Sequence, residues 1–216
     1  MARALPGWSQ RTDSPLDPAQ AIAGYRRQRI LDATAAAVVE RGFVHVSTRD
    51  IARAAAAGPT SFYKTFGSKQ EAYVALLEAT GAEVGTRVET ALAATGEYWP
   101  DRVAAALRAI VEFAAAQPTR SLACLESPHA AGPEATRLYE RGLDRFARLL
   151  QPGRALRPEG ALLPRELELV LGGGVAWVLR QQLRAGDRAD WDEVFTDLLG
   201  FLLQPYLGLG RTATYP

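Results

Sequence analysis

Hydroxyls and cations crowd into one short stretch of this chain, Ser47 to Lys69, STRDIARAAAAGPTSFYKTFGSK. Thr60, Ser61, Tyr63 and Lys64 fall within five residues, and Lys64 and Lys69 are the two lysines of the whole sequence. Groups of this kind donate hydrogen bonds to phosphate oxygens and to base edges. Residue types suited to covalent or metal chemistry are sparse by contrast. His45, His129 and Cys124 lie far apart, so no ligand spacing typical of a metal site is present. There is no glycine-rich phosphate loop after a strand and no nucleophile elbow. Glu112, Glu126 and Glu134 read as solvated helix carboxylates. No catalytic residue, cofactor or metal site is therefore expected, and the chain reads as a binding protein.

Local signals position the stretch. Ser47 is a good helix N-cap, with Asp50 at the reciprocal position of a capping box. Ile51, Ala52 and Ala55 supply a small apolar face. Gly58–Pro59 punctuates the run, and Pro suits the first position of a new helix, expected from Pro59 to Phe66. Phe62 and Phe66, four apart, would face inward. Gly67–Ser68 ends that helix, and Ser68 with Glu71 opens the next. Two short helices joined by a tight turn make a helix-turn-helix, whose second helix can enter a DNA major groove.

The charge distribution agrees. The 216-residue chain has a net charge of only +1. Residues 21–69, however, hold eight basic side chains (Arg26, Arg27, Arg29, Arg41, Arg49, Arg53, Lys64, Lys69) against Asp32, Glu40 and Asp50. A head of +5 on a body of −4 is the footprint of a phosphate-binding module. The single cysteine excludes an intramolecular disulfide. No apolar run reaches the roughly 18–20 residues of a membrane span, and no secretory h-region precedes the head. A cytoplasmic setting is expected, with no membrane partner.

Helical periodicity continues along the chain. Residues 1–20, rich in Pro, Ser and Asp, read as a flexible tail. A first helix runs from Ala19 or Ala21 to Glu40, with Ile30, Ala33, Ala37 and Val38 on one side. A long helix follows from Ser68 to Ala93, containing Gly81 and Gly85, then another from Pro100 to Ala116. Pro118 starts a short segment, Pro133 to Leu150 is amphipathic, and residues 152–164 read as a loop. Two apolar helices close the chain, Pro164 to Ala185 and Trp191 to Tyr206. Gly172, Gly173 and Gly174 cost the first of these about 1 kcal/mol each relative to Ala, which close helix approach would offset. The body offers Trp99, Phe113, Cys124, His129, Tyr139, Phe146 and Trp177 as candidates for a mostly apolar ligand site.

From Tyr25 to about Leu76 the chain resembles the N-terminal domain of TetR-family transcriptional regulators. RILDATAAAVVERGF, STRDIARAA and SFYKTFGSKQEAY carry the match, including Ile51–Ala52, Ser61–Phe62–Tyr63 and Phe66–Gly67–Ser68–Lys69. The resemblance implies an all-α fold: a three-helix helix-turn-helix domain (residues 21–76), then a helical ligand-binding and dimerisation domain (77–216). It implies a repressor that binds a palindromic double-stranded DNA operator as a homodimer and is released by a small-molecule effector. Thr60 and Tyr63, beside Pro59, would face base edges, and Arg49 would reach a guanine. Ser47, Thr48, Ser61, Lys64, Thr65 and Lys69 would hold phosphates. The last two helices would pair with those of a second subunit, and the glycine run would serve that interface or lie beside a ligand cavity. Two departures stand out. Thr65 replaces a frequent His, and Ala56–Ala57–Gly58 replaces a turn that usually begins with Gly. Ala is unsuited to positive φ, so the turn is expected to shift toward Gly58 and tilt the second helix. Such a shift would favour an alternative: a helical ligand-binding or interaction protein that no longer reads DNA.

Overall fold

A computed structural model describes residues 18–186 and 189–208. Among these residues every regular element is a helix. The head comprises α1 (Pro18–Arg41), α2 (Thr48–Ala54), α3 (Pro59–Tyr63) and the start of α4 (Lys69–Ala93). The body continues with α5 (Trp99–Ala116), α6 (Pro118–Glu126), α7 (Pro133–Leu150), α8 (Leu167–Ala185) and α9 (Trp191–Leu207). Most of the expected tail lies outside the described residues, but Pro18–Gln20 already belong to α1. The expected loop at 152–164 is instead wound into two 3-10 turns, Gln151–Leu156 and Pro158–Leu162.

The head core forms where α1, α2 and α3 turn their apolar faces together. Ile30, Leu31, Val38, Phe43, Ile51, Phe62, Tyr73 and Leu76 are almost fully buried in it. It does not stop at the head. Ala123 of α6 and Ala135 of α7 belong to the same buried cluster. Tyr73 on α4 donates its hydroxyl to the Ala123 carbonyl at 2.7 Å, joining head to body inside that core. A second cluster, built on Val103, Leu107, Leu150, Leu171, Leu202 and Leu203, fills the body between α5, α7, α8 and α9.

At the far end of the body a buried polar network locks α8, α9 and the 3-10 segment. Arg154 grips Glu168 with two hydrogen bonds, 2.7 and 2.8 Å, and also donates to the Leu163 and Pro164 carbonyls. Tyr206 donates to the same carboxylate at 2.9 Å and packs edge-on against Trp99. A Cβ on Gly153 would lie 2.5 Å from the Trp99 ring, so only glycine lets the turn pass there. Burial works against the charge on Glu168, but the Arg154 and Tyr206 hydrogen bonds outweigh it and hold the carboxyl below its ordinary value.

A depressed carboxyl stabilises the fold above its unfolded value near 4.5, and that stabilisation is lost as pH falls through the folded value. Glu168→Gln should cost about 2 kcal/mol at neutral pH, because it removes the charge from the bonds that Arg154 and Tyr206 make to this side chain. It should also flatten the acid limb of the stability profile, as read by urea unfolding between pH 7 and pH 3. An unchanged acid limb in the variant would show that the network carries no such linkage.

Candidate functional site

The turn between α2 and α3 closes at the position where a glycine was expected. Ala56 adopts φ 45°, whereas Gly58 is extended at φ −67°. Ala57 N–H donates to the Ala52 carbonyl at 2.9 Å and Ala56 N–H to Arg53 at 3.0 Å, the paired bonds of a Schellman motif. The expected shift toward Gly58 is thus corrected. The helix terminus needs a left-handed residue two positions before Gly58, and Ala56 accepts the strain there. Arg29 donates to the Ala55 carbonyl, placing a cation on the C-terminal end of α2. The capping box forms as read: Asp50 N–H bonds Ser47 Oγ, and Asp50 Oδ2 accepts from Ser47 N–H at 3.0 Å.

The recognition segment is shorter than expected, ending as α-helix at Tyr63, with Lys64 and Thr65 in a turn. Phe62 and Phe66 are buried beneath it. Pro59, Thr60, Tyr63 and Lys64 are exposed, as is Arg49 on α2. Thr48 and Tyr63 share one hydrogen bond between their hydroxyls, 3.0 Å apart. One of the two O–H donors is therefore left unspent. Ser61 and Thr65 are half-buried.

A donor count revises the phosphate set. Ser47 gives its one O–H to Asp50 Oδ2 at 2.5 Å. Thr65 gives its O–H to the Ser61 carbonyl at 3.2 Å. Lys69 is the clearest correction. Its ammonium donates to the carbonyls of Phe43, Val44 and Val46 at 2.9, 3.3 and 2.8 Å, and sits 4.7 Å from the Phe43 ring centre. An ammonium has three donors, and all three hold the chain between α1 and α2. Lys69 spends its donors on bracing the head, while its charge stays unpaired by any carboxylate among the described residues.

In the body, α4, α5, α6, α7 and α8 enclose a cavity of about 540 Å³. Its wall is mainly apolar, including Leu77, Val84, Ile110, Leu125, Leu143 and Val175. Phe113, Cys124, Tyr139 and Phe146 of the candidate ligand set line it. Burial raises the Tyr139 hydroxyl above its ordinary value and pushes the Cys124 thiol up to about 11, which favours the neutral thiol at pH 7.

The other three candidates lie elsewhere. Trp99 is buried at the start of α5, donating to the Leu149 carbonyl at 3.0 Å, and serves the core. His129 is exposed in a 3-10 turn, edge-on to Tyr139. Trp177 is 59% exposed on α8, on the outer face. The glycine run also divides by direction. Gly172 faces Phe146 and the cavity, whereas a Cβ on Gly174 would lie 3.1 Å from the Phe201 ring of α9. Sequence reasoning passed over Ser121 and Thr80, which line the cavity. Ser121, Cys124 and Leu125 fall at i, i+3, i+4, so the helical period of α6 could have joined them.

Residues 30–76 match the model of the bacterial regulatory proteins, tetR family. The head belongs to the TetR family. The fatty acid degradation regulator FadR from Bacillus halodurans superposes with a TM-score of 0.70 at 15% identity, covering 82% of this chain and 94% of that one. A TetR-family regulator from Bordetella parapertussis gives 0.69 at 20% identity, over 86% and 98%. PfmR from Thermus thermophilus gives 0.64 at 20%, also over 86% and 98%. At such identities the likeness is one of fold, and the TetR-like fold extends through the body. None of the curated proteins compared matches the chain. Among the described residues no cluster of His, Cys, Asp and Glu could hold a metal, and no helix is long and apolar enough to cross a membrane.

The strain at Ala56 is testable. Ala56→Gly should stabilise the TetR head by about 1 kcal/mol in chemical unfolding, since glycine adopts positive φ without a Cβ clash. A loss of stability would show that the left-handed turn is not strained.

Proposed function

We propose that this TetR-family protein is a transcriptional repressor that reads a palindromic operator as a homodimer and is released by a small molecule held in the body cavity. The observation that carries the reading is the outward face of α3, where Thr60, Tyr63 and Lys64 stand exposed over buried Phe62 and Phe66. Thr60 and Tyr63, with Pro59, take the base edges, and Arg49 takes a guanine by a bidentate contact. Lys64, Ser61 and the unspent hydroxyl donor of the Thr48–Tyr63 pair take phosphates. The turn that would have favoured a head unable to read DNA closes in regular geometry, so no observation now favours that alternative.

Dimerisation finds support on the outer face of α8 and α9. Leu169, Val170, Trp177 and Phe201 are 41%, 64%, 59% and 44% exposed there, a run of large apolar groups that a second copy would cover. Release finds support in the shared walls. Cys124 and Leu138 line the cavity and also pack against the head core. Arg120 of α6 bonds Glu83 at 3.1 Å and Thr80 at 3.5 Å on α4, so a ligand between these helices would bear on the element that carries the head. The ligand must prefer one spacing of the two heads, or no equilibrium moves.

Footprinting on DNA flanking the protein's own gene would supply the operator, and retention on that fragment over a scrambled one tests the reading. Tyr63→Ala should weaken specific binding about tenfold and relax base preference, whereas Lys64→Ala should weaken all sequences and lower the salt slope by about 1. Equal retention on both fragments would refute sequence reading. For the dimer, Trp177→Glu should raise the dimer dissociation constant at least tenfold in analytical ultracentrifugation, as expected for a central interface aromatic. An unchanged constant would move the interface off this face.

A further inference from the structure

We infer that the body cavity takes an uncharged, oxygen-bearing apolar molecule, anchored through that oxygen on Ser121. The inference rests on the reading of the cavity as a ligand site and names what it would hold. Ser121 lines the cavity and is 6% exposed, and its Oγ has no hydrogen-bond partner. A buried hydroxyl left unpaired is a net loss to the fold, so its presence in an apolar wall calls for a partner that arrives from outside. Of the other polar groups on the wall, Thr80 already accepts from Arg120, while the Tyr139 hydroxyl lies on α7, across from α6.

Charge decides between neutral and ionised ligands. The ionic groups lining the cavity are Glu89, Arg145 and Arg148, all exposed, and Glu89 is paired with Arg145 at 3.0 Å. Arg120, behind the wall, is paired with Glu83. An ionised group brought to Ser121 would leave water for a mainly apolar wall where Arg120 and Arg145 are already paired with Glu83 and Glu89 and the lining charges are exposed, which is more costly than burying a carbonyl or hydroxyl. Entry lies between α4 and α7. Gly81 and Gly142 line the cavity, are exposed and have open space where a Cβ would be, while the Arg145 guanidinium lies over Gly85. The molecule would pass these glycines with its oxygen leading and leave its apolar part among Phe113, Leu143 and Phe146.

Calorimetric titration of the full chain with nonan-1-ol, 2-nonanone, nonanoate, nonyltrimethylammonium and butylbenzene tests this. The alcohol and ketone should bind more tightly than both ions. Ser121→Ala should weaken the alcohol and ketone roughly three- to tenfold, the worth of one neutral hydrogen bond. It should leave butylbenzene unchanged and leave the ligand-free thermal midpoint equal to the parent's or higher. Gly142→Phe should weaken every probe by narrowing the entrance without touching Ser121. The inference is overturned if no probe binds, if an ion binds best, if Ser121→Ala leaves the alcohol and ketone unaffected, or if Gly142→Phe changes nothing. Operator retention measured on the same preparations separates the two readings. Probe failure with intact retention removes only the ligand class, and probe binding without retention removes only the DNA reading.

Discussion

One helix is shared by two interiors, and the rest of the molecule is arranged around that constraint. The first turns of α4 place Ala72, Tyr73 and Leu76 in the head core, and its middle turns place Thr80, Val84 and Val88 on the cavity wall. The Tyr73 hydroxyl then ties this helix to the Ala123 carbonyl inside the same core. Close-packed interiors transmit small displacements instead of absorbing them. Under the proposed release, a change in the cavity wall would reach α1, α2 and α3 through these packed side chains.

The basic residues divide by what their donors meet. Arg29, Lys69 and Arg154 spend their hydrogen bonds on carbonyls and a carboxylate of the chain itself, bracing the α2 terminus, the α1–α2 connection and the far end of the body. Arg49 and Lys64 remain exposed on the outward side of the head. The +5 of the head is thus part scaffold and part exposed surface, and charge counting along the chain cannot separate the two.

Small residues show the same division. Gly153 admits the Trp99 and Tyr206 rings, Gly174 admits Phe201 against α8, and Gly81 and Gly142 leave open space on the cavity wall. Ala56 runs the other way, holding a left-handed conformation that glycine would adopt without strain. The head keeps its geometry because the Schellman bonds and the Arg29 contact act together on that turn, while the capping box fixes the opposite end of α2.

Signals a few residues long were legible without coordinates. The Ser47 capping box, the start of α3 at Pro59, the span of α4 and the whole of α7 follow from caps, prolines and apolar periodicity. These features depend on backbone bonds three or four residues apart, so sequence alone determined the helical order and the helix-turn-helix. Tertiary structure decided where each donor and ring ends up. Lys69 meets carbonyls more than twenty residues away, Trp99 meets Leu149 fifty residues on, and Trp177 faces outward while Ser121 faces the cavity. Such pairings depend on which helices pack together and at what rotation, and helical periodicity leaves both open.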